Sequence, residues 1–534
     1  MASRREFMRT IVLGTGAIYT VALGACERPR PLPTLRSAPP PIKTSAQRFR
    51  DAHSYLRDRG VAAAVGTTRT CDVVVIGGGL SGLATTHLLR SEGFHVTLIE
   101  NEPRIGGAAV SERIAGVPTS LGSVYFVERS QLLLDLMKAA SVTDVVCPTD
   151  GYMLNGTLHS NIWRDADIKR FATSEQDRTA MRRFRDDVLA MTDDQLPSYP
   201  LPKILPPAWA SYDAMSGADF VAAYNSPLLY SILDAYSRSS MGAGIDTTNA
   251  YCLLNFYASE FDITNTVERY TFEGGMGGLT RGLATSMHDD VHTNEVVIRV
   301  ENTATGVNVI SVDANGAVIN TTAARAVMAT QKFMAPFIIS DMPSTQRDAM
   351  RAMTYAPYAT IHIHSTQPLV DATTIDTWFL PSSPLFSDVI NPQAISKGGK
   401  DGYVCSIYAP MPLNARTTMQ NDAAFAAHVA DVVRAFLSNV SDAAAESVSD
   451  VYAWAWGHSL VVPIRGSHNG LAQQASAAIG NIHFANTDND ASPAVESALS
   501  SAIAAAEGTL LTLKHSTQRS ENSSNHRTLS KASL

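Results

Sequence analysis

The thirty residues "CDVVVIGGGLSGLATTHLLRSEGFHVTLIE", Cys71 to Glu100, leave this chain few ways to begin its fold. The apolar run Val73 to Ile76 has the length and β-branched content of a fully buried strand. Three glycines follow at Gly77, Gly79 and Gly82, and apolar residues then recur at helical spacing from Leu80 to Leu89. "HVTLI" reads as a second strand, and Glu100 ends it. In such a strand–turn–helix–strand unit each glycine has a separate reason. Gly77 lets the chain turn, Gly79 lets a pyrophosphate approach bare backbone, and Gly82 lets helix and strand pack closely. The N–H groups of Leu80 and Ser81, at the helix N-terminus, then face anionic oxygen. Glu100 stands where ribose hydroxyls are accepted. Together these offsets specify a dinucleotide site.

Whether that dinucleotide carries a nicotinamide or a flavin is decided downstream. After Glu100 come Asn101-Glu102-Pro103-Arg104-Ile105-Gly106-Gly107. This E-x-x-x-R-x-G-G string resembles the superfamily of flavin-containing amine oxidases, protoporphyrinogen oxidases and phytoene desaturases. Two distant regions resemble it in the same order. "GGMGGLTRGLATSM" followed by "TNEVVIRVE" is similar to the family's glycine turn, helix and adenine-side strand, with Val297 matching the valine whose backbone contacts the adenine. "GNIHFANTDNDASPAVESALSSAIAAAEG" is similar to its closing strand, loop and helix. The resemblance spans Cys71 to Leu513 and implies bound FAD. It implies cofactor contacts from Gly77, Gly79, Leu80, Ser81, Gly82, Glu100, Asn101, Arg104, Gly106, Gly107, Gly122, Ser123, Val297, Asn486, Asp488 and Val495.

The sequence departs from that family where the flavin ring would lie. Ala108 follows the twin glycines in place of a common arginine. The closing Phe-Ala-Gly-Glu becomes Phe484-Ala485-Asn486-Thr487-Asp488, whose polar side chains can still bond a ribityl hydroxyl or a phosphate. Ser501-Ala502 stands for Ser-Gly. Many amine oxidases carry a lysine near flavin N5, on a strand that here reads "YAPYATIHIHSTQPL" and offers Ala359-Thr360-Ile361. Lys332 reads as a domain-crossing position. Because the cofactor takes the hydride itself, a missing lysine does not remove oxidation.

The candidate catalytic side chains are His458, Trp456 and Tyr125. Trp456 and His458, with Arg465, lie in "WAWGHSLVVPIRG", just before the closing motif. Trp456 reads either as a wall of the flavin pocket or as core, and His458 either as a reacting group or as a structural histidine. Tyr125 and Phe126 follow the flavin loop. Tyr251, Tyr257 and Tyr355 are candidates to wall an apolar substrate cavity, although a stripe of aromatics in a helical segment is more often core.

The fold class expected is α/β, a discontinuous Rossmann-type FAD-binding domain (71–150, 270–345, 450–513) with an inserted mixed α+β substrate domain (151–269, 346–449). Residues 27–70 read as a Pro-rich tether and an N-terminal helix, and 514–534 as a disordered tail. At the start, Arg4-Arg5 precede an uncharged run from Thr10 to Ala25, which resembles a twin-arginine export signal. It ends in Leu23-Gly24-Ala25-Cys26, which resembles a lipoprotein cleavage box, with a plain N-terminal anchor as the alternative. These features imply partnership with the twin-arginine export machinery, periplasmic localisation and membrane tethering through lipidated Cys26. The five cysteines form no C-x-x-C pair, so no metal site is expected. Isolated buried thiols are the favoured reading over one or two disulfides. A formal charge of −8 without a basic stripe excludes nucleic acid as a partner.

The sequence thus points to an exported FAD-dependent oxidoreductase taking a hydride from a C–N or C–C bond of a small organic substrate. Two alternatives stand: a desaturase or isomerase acting on an apolar substrate with an acceptor other than oxygen, and a flavin-bearing protein without turnover.

Overall fold

The computed structural model describes residues 34–37, 66–192, 196, 201–202, 204–260, 268–396 and 401–531. The export signal, Cys26, most of the tether and the helix expected before residue 66 lie outside them. Among the described residues no helix is long and apolar enough to cross a membrane.

The strand that opens the dinucleotide motif runs Thr67–Ile76. It lies parallel to Val96–Ile99 on one side and to Val318–Met328 on the other. Parallel strands covered on both faces must be apolar throughout, and Val73 to Ile76 are all buried. The seven-stranded sheet continues from Val318–Met328 through Val307–Val312 to Val296–Asn302. Ile482–Phe484 joins at the Met328 end. Strands from three separated stretches of chain therefore share one sheet, the discontinuity expected. The "DANGAV" turn forms the hairpin it predicts, with Asp313 N–H donating to the Ala317 carbonyl at 3.0 Å.

One face of this sheet carries the helices Leu80–Ser91, Gln131–Ala140, Gly277–Ser286 and Val495–Lys531. Leu83, Leu133, Leu136, Leu279, Leu283, Ala502 and Ala505 fill the space between them. The closing helix does not stop at Leu513. It continues to Lys531 because no Gly or Pro interrupts the chain from Thr509 onward.

A second sheet has eight strands, in the order Thr34–Ser37, Val448–Val462, Thr354–Ser365, Tyr403–Pro410, Asp388–Ile390, Asp376–Leu380, Gly151–Leu154 and Thr157–His159. Two differences from the sequence reading arise here. The strand carrying Trp456 and His458 belongs to this substrate-side sheet, so the boundary near 450 divides it wrongly. Four residues of the tether form the edge strand beside it, in parallel register from Thr34↔Asp450. Helices from Asp165 to Glu260 cover part of this sheet, as the helical reading of that region expects. Trp163, Phe184, Tyr236, Tyr251 and Tyr257 are their core. The four described cysteines other than Cys26 are unpaired, and three are buried.

Candidate active site

The first strand ends at Gly77, where the chain turns with φ +110°. Gly79 precedes the helix Leu80–Ser91 without any side-chain cap, leaving its first N–H groups for another acceptor. A Cβ on Gly79 would meet only the Gly107 Cα, at 3.9 Å, so the backbone is open toward a cavity. Gly107 itself has φ +57° and could not carry a side chain without strain. Glu100 accepts from Gly78 N–H at 2.6 Å with one oxygen and from Glu102 N–H at 2.7 Å with the other. It thereby fixes the turn and the following loop against each other. Arg104 bonds Glu112 at 3.0 Å and lies over the Trp454 ring at 4.2 Å. Burial lowers its pKa, which Glu112 partly offsets. These bare N–H groups, the open glycine and the acid fit the adenosine diphosphate half of a dinucleotide.

The same cavity, about 600 Å³, runs on to the second sheet. Strand register explains which side chains meet there, because directly opposed residues share a face. Trp454↔Thr360, Thr360↔Tyr408 and Tyr408↔Asp388 make one continuous row across four strands. Three donors from this face hold the turn that follows the glycine loop. Thr360 donates to the Leu121 carbonyl at 2.7 Å, Trp456 Nε1–H to the same oxygen at 2.9 Å, and Tyr408 to the Gly122 carbonyl at 2.5 Å. Gly122 needs its lack of a side chain, since a Cβ would lie 2.4 Å from the Ala108 oxygen. Opposite, Phe256, Ser259 and Glu260 reach the cavity from one helix face at i, i+3, i+4 spacing. Glu496 accepts from the N–H groups of Val127 and Glu128 at 2.8 and 3.0 Å and completes the wall.

A family model described as flavin containing amine oxidoreductase matches residues 80–510. The chain belongs to that family. The cofactor is therefore FAD, and the protein is a flavin-containing amine oxidoreductase of α/β fold with FAD-binding and substrate parts. Human amine oxidase [flavin-containing] B is 39% identical over 69 residues, which span 13% of each chain. L-amino-acid oxidase of Pseudechis australis is 23% identical over 312 residues, 55% of each chain. A protein of Mycobacterium tuberculosis assigned as a flavin-containing monoamine oxidase is 33% identical over 82 residues, 15% of this chain and 18% of its own. The chain thus spans less than two thirds of these curated relatives. Among solved structures, putrescine oxidase bound to putrescine superposes with a TM-score of 0.67 at 17% identity, over 83% of this chain and all of that one. Cyclohexylamine oxidase from Brevibacterium oxydans gives 0.65 at 15%, over 83% and 99%.

Within this amine oxidoreductase most sequence-predicted residues converge. Gly77, Gly79, Leu80, Ser81, Glu100, Asn101, Arg104, Gly106, Gly107, Gly122, Ser123, Tyr125, Trp456, His458, Asn486 and Val495 all line the cavity. Gly82 lies behind it, where a Cβ would come 1.9 Å from the Gly77 oxygen. One cofactor expectation is corrected. Asp488 turns inward, accepting from Lys332 N–H at 2.7 Å and from Tyr355 OH at 2.5 Å, while Asn486 and Thr487 face the cavity instead. Val297 packs its side chain into the core on the sheet's other side, so its backbone is the part left for the adenine contact the resemblance implies. Tyr251 and Tyr257 belong to the helical core and Tyr355 to Asp488, so none of the three walls the cavity.

Lys332 is fully buried and bonds Asn486 and Asn489 at 3.2 and 2.5 Å; burial brings its pKa down to about 8. No lysine lines the cavity among the described residues, and of Ala359-Thr360-Ile361 only Thr360 reaches it. His458 stacks on Phe333 at 3.9 Å between centroids and meets Tyr355 edge-on. The sequence reading missed Glu260, Asp388, Tyr408 and Glu496. For Glu260 a signal existed, the helical spacing of Phe256, Ser259 and Glu260.

Burial pushes the Glu260 carboxyl up from near 4.5 to about 7. A raised folded-state pKa means that the group's stabilising contribution is complete below the unfolded value and is lost as pH rises through the folded one. About 3 kcal/mol is at stake for such a shift. Glu260→Gln should therefore gain stability relative to wild type between about pH 5 and pH 8, by about 2–3 kcal/mol. Thermal melts of both proteins at the two pH values check this, and parallel pH profiles would refute it.

Proposed function

We propose that the protein oxidises the carbon beside the nitrogen of a small amine, with a hydride leaving that C–H bond, and that it works outside the cytoplasm. The observation carrying this reading is the single cavity that joins the dinucleotide turn to a chamber lined by Glu260, Asp388, Tyr358 and Tyr408. Buried carboxyl groups lining the chamber favour a cationic partner over an apolar polyene. The reading is therefore amine oxidation rather than desaturation.

Gly77, Gly79, Glu100, Arg104, Gly106 and Gly107 would hold the FAD, with Asn486, Thr487 and Glu496 along its other side. When bound, the flavin supplies the hydride acceptor. The protein's own contribution is orientation and exclusion of water: Trp456, Thr360 and Tyr408 fix the Leu121–Gly122 turn, and Phe256 and Phe333 narrow the chamber. No protein nucleophile is required.

The N-terminal twin arginines and Leu23-Gly24-Ala25-Cys26 support export in the folded, FAD-loaded state and tethering through a lipidated Cys26. Anaerobic mixing of the purified yellow protein with primary amines should bleach the flavin band, and polyenes should leave it unchanged. Bleaching by no amine would overturn the activity. Unchanged membrane association of Cys26→Ser in cell fractions would overturn the tether.

A further inference from the structure

Lys332 stands in the run Ala329 to Met334, which forms one wall of the cofactor cavity. Ala329, Thr330, Gln331, Phe333 and Met334 all line that cavity, while Lys332 is fully buried behind the wall. Its Nζ donates to the side-chain oxygens of Asn486 and Asn489 and lies 4.9 Å from the centre of the Phe484 ring. The ammonium protons therefore meet two amide oxygens and an aromatic face. The Asp488 carboxylate accepts from the Lys332 backbone N–H and from Tyr355 OH, and its other oxygen has no partner among the described residues. Asp488 and Asp490 act on the ammonium through space. A buried ammonium held by neutral acceptors is costly where a methionine would fill the same volume. Such a charge is expected where the neighbouring site uses it.

What the ammonium fixes is the Asn486 amide. Both partners of the Asn486 oxygen can only donate: Lys332 Nζ at 3.2 Å and Asp488 N–H at 3.0 Å. The partner of its nitrogen, the Thr330 carbonyl at 2.8 Å, can only accept. The amide therefore has one orientation, with its oxygen turned inward. That oxygen is fully occupied, and one amide N–H goes to Thr330. The second N–H is left for the cavity that Asn486 lines. On the same wall the Thr330 hydroxyl oxygen is shielded from solvent and has no partner among the described residues. Both groups call for a polar ligand. In FAD, the ribityl hydroxyls and the diphosphate supply the acceptors. Asn486 stands where the family's closing motif has glycine. A glycine there would give the ammonium no amide to hold, so the two residues make sense only together.

We propose that Lys332 is a positioning residue for the cofactor: its ammonium holds Asn486 with an amide N–H presented to the ribityl–diphosphate stretch of FAD and places a positive charge behind that contact. Lys332 acts through Asn486 and does not itself line the cavity. The role is independent of which substrate is oxidised. It has two separable parts, the orientation of the amide and the charge. Loss of the side chain removes both. Loss of its proton removes the charge and leaves N–H groups that can still hold the amide oxygen. An anionic ligand raises the lysine's pKa, so the charge contributes fully below the ligand-free value and is lost as pH rises above it. Burial brings that value down to about 8, within reach of a titration.

The test reads FAD release from the yellow holoenzyme on dilution, by the fluorescence of free flavin. Lys332→Met keeps the volume without donors or charge and should weaken FAD binding about 50-fold. Asn486→Ala should weaken it by a similar factor. Lys332→Met added to Asn486→Ala should cost only about fivefold more, because the lysine then has no amide to hold. Wild-type affinity should fall about fivefold between pH 7 and pH 9.5, and the Lys332→Met profile should be flat over that range. Asp488, Asp490, Tyr355, His458 and His468, which face Lys332 or its carboxyl neighbours, are all kept in that variant, so a slope of their making would persist there. A lysine with a merely structural role would lower the melting temperature and leave the profile unchanged. Equal FAD release from wild type and Lys332→Met would overturn the proposal. So would a double variant whose loss is the product of the two single losses, since Asn486 would then not be the intermediary. A wild-type profile without a slope would overturn it too, and that measurement needs no variant to fold.

Discussion

Gly79→Ala is expected to give a folded, colourless protein. The added methyl meets only the Gly107 Cα at 3.9 Å, and Gly79 has an ordinary φ of −71°, so the polypeptide accepts it. What it occupies is the space through which a diphosphate must approach the helix N-terminus. Affinity for FAD should fall about 100-fold or more, since the N–H contacts at Leu80 and Ser81 are lost together. The melting temperature should match that of FAD-stripped wild type and not that of the loaded protein, because a tightly bound ligand stabilises by mass action. Gly82→Ala makes the contrast. Its Cβ would lie 1.9 Å from the Gly77 oxygen, backbone against backbone, and helix and strand would have to separate. That variant should lose soluble yield and melt well below even the stripped wild type, by the equivalent of about 3 kcal/mol or more. Absorbance at the flavin band, FAD titration and melts of stripped proteins decide the matter. A yellow Gly79→Ala protein with normal FAD content would mean that the phosphates do not pass over this residue.

These two glycines also show why one end of the site is legible in sequence and the other is not. At the nucleotide end every requirement falls at a fixed offset within thirty residues. The turn, the close approach and the acid are all local, so Gly77 to Glu100 can be read without knowing the rest of the fold. The substrate end is assembled by strand pairing. Thr360, Tyr408, Asp388 and Trp456 are scattered over about a hundred residues and become neighbours only through register, which no local pattern announces. Asp488 fails for a related reason. In the short turn Thr487–Asn489 successive side chains point in different directions, and the buried demands of Lys332 N–H and Tyr355 OH draw the aspartate inward. For Tyr251 and Tyr257 the core reading of aromatics in a helical segment holds, because Ala250–Glu260 is buried on nearly all sides and opens to the cavity only near its C-terminus.

Trp456 and His458 are two residues apart on one strand, and the structure gives them opposite weights. The Trp456 ring lies against Gly122, with its Cζ2 3.3 Å from where a Cβ there would stand, and its N–H holds the Leu121 carbonyl. Truncation would remove a wall of the chamber and one of two donors to that oxygen, leaving Thr360 alone. Trp456→Ala should lower kcat/KM for the best amine about 100-fold, equivalent to about 2.7 kcal/mol of lost transition-state stabilisation. Trp456→Phe keeps a ring and loses the N–H, and should cost about 10-fold, the scale of one hydrogen bond. His458 spends its imidazole face on Phe333, in a group that includes Tyr355 and Asp488 behind the wall. His458→Ala should therefore change kcat/KM by about threefold or less and leave the shape of its pH profile unaltered. Steady-state kinetics of the three variants at matched FAD content separate these roles. Loss of one limb of the pH profile in His458→Ala would restore a proton-transferring histidine, and near-normal turnover by Trp456→Ala would show that the Leu121–Gly122 turn needs no indole to hold it.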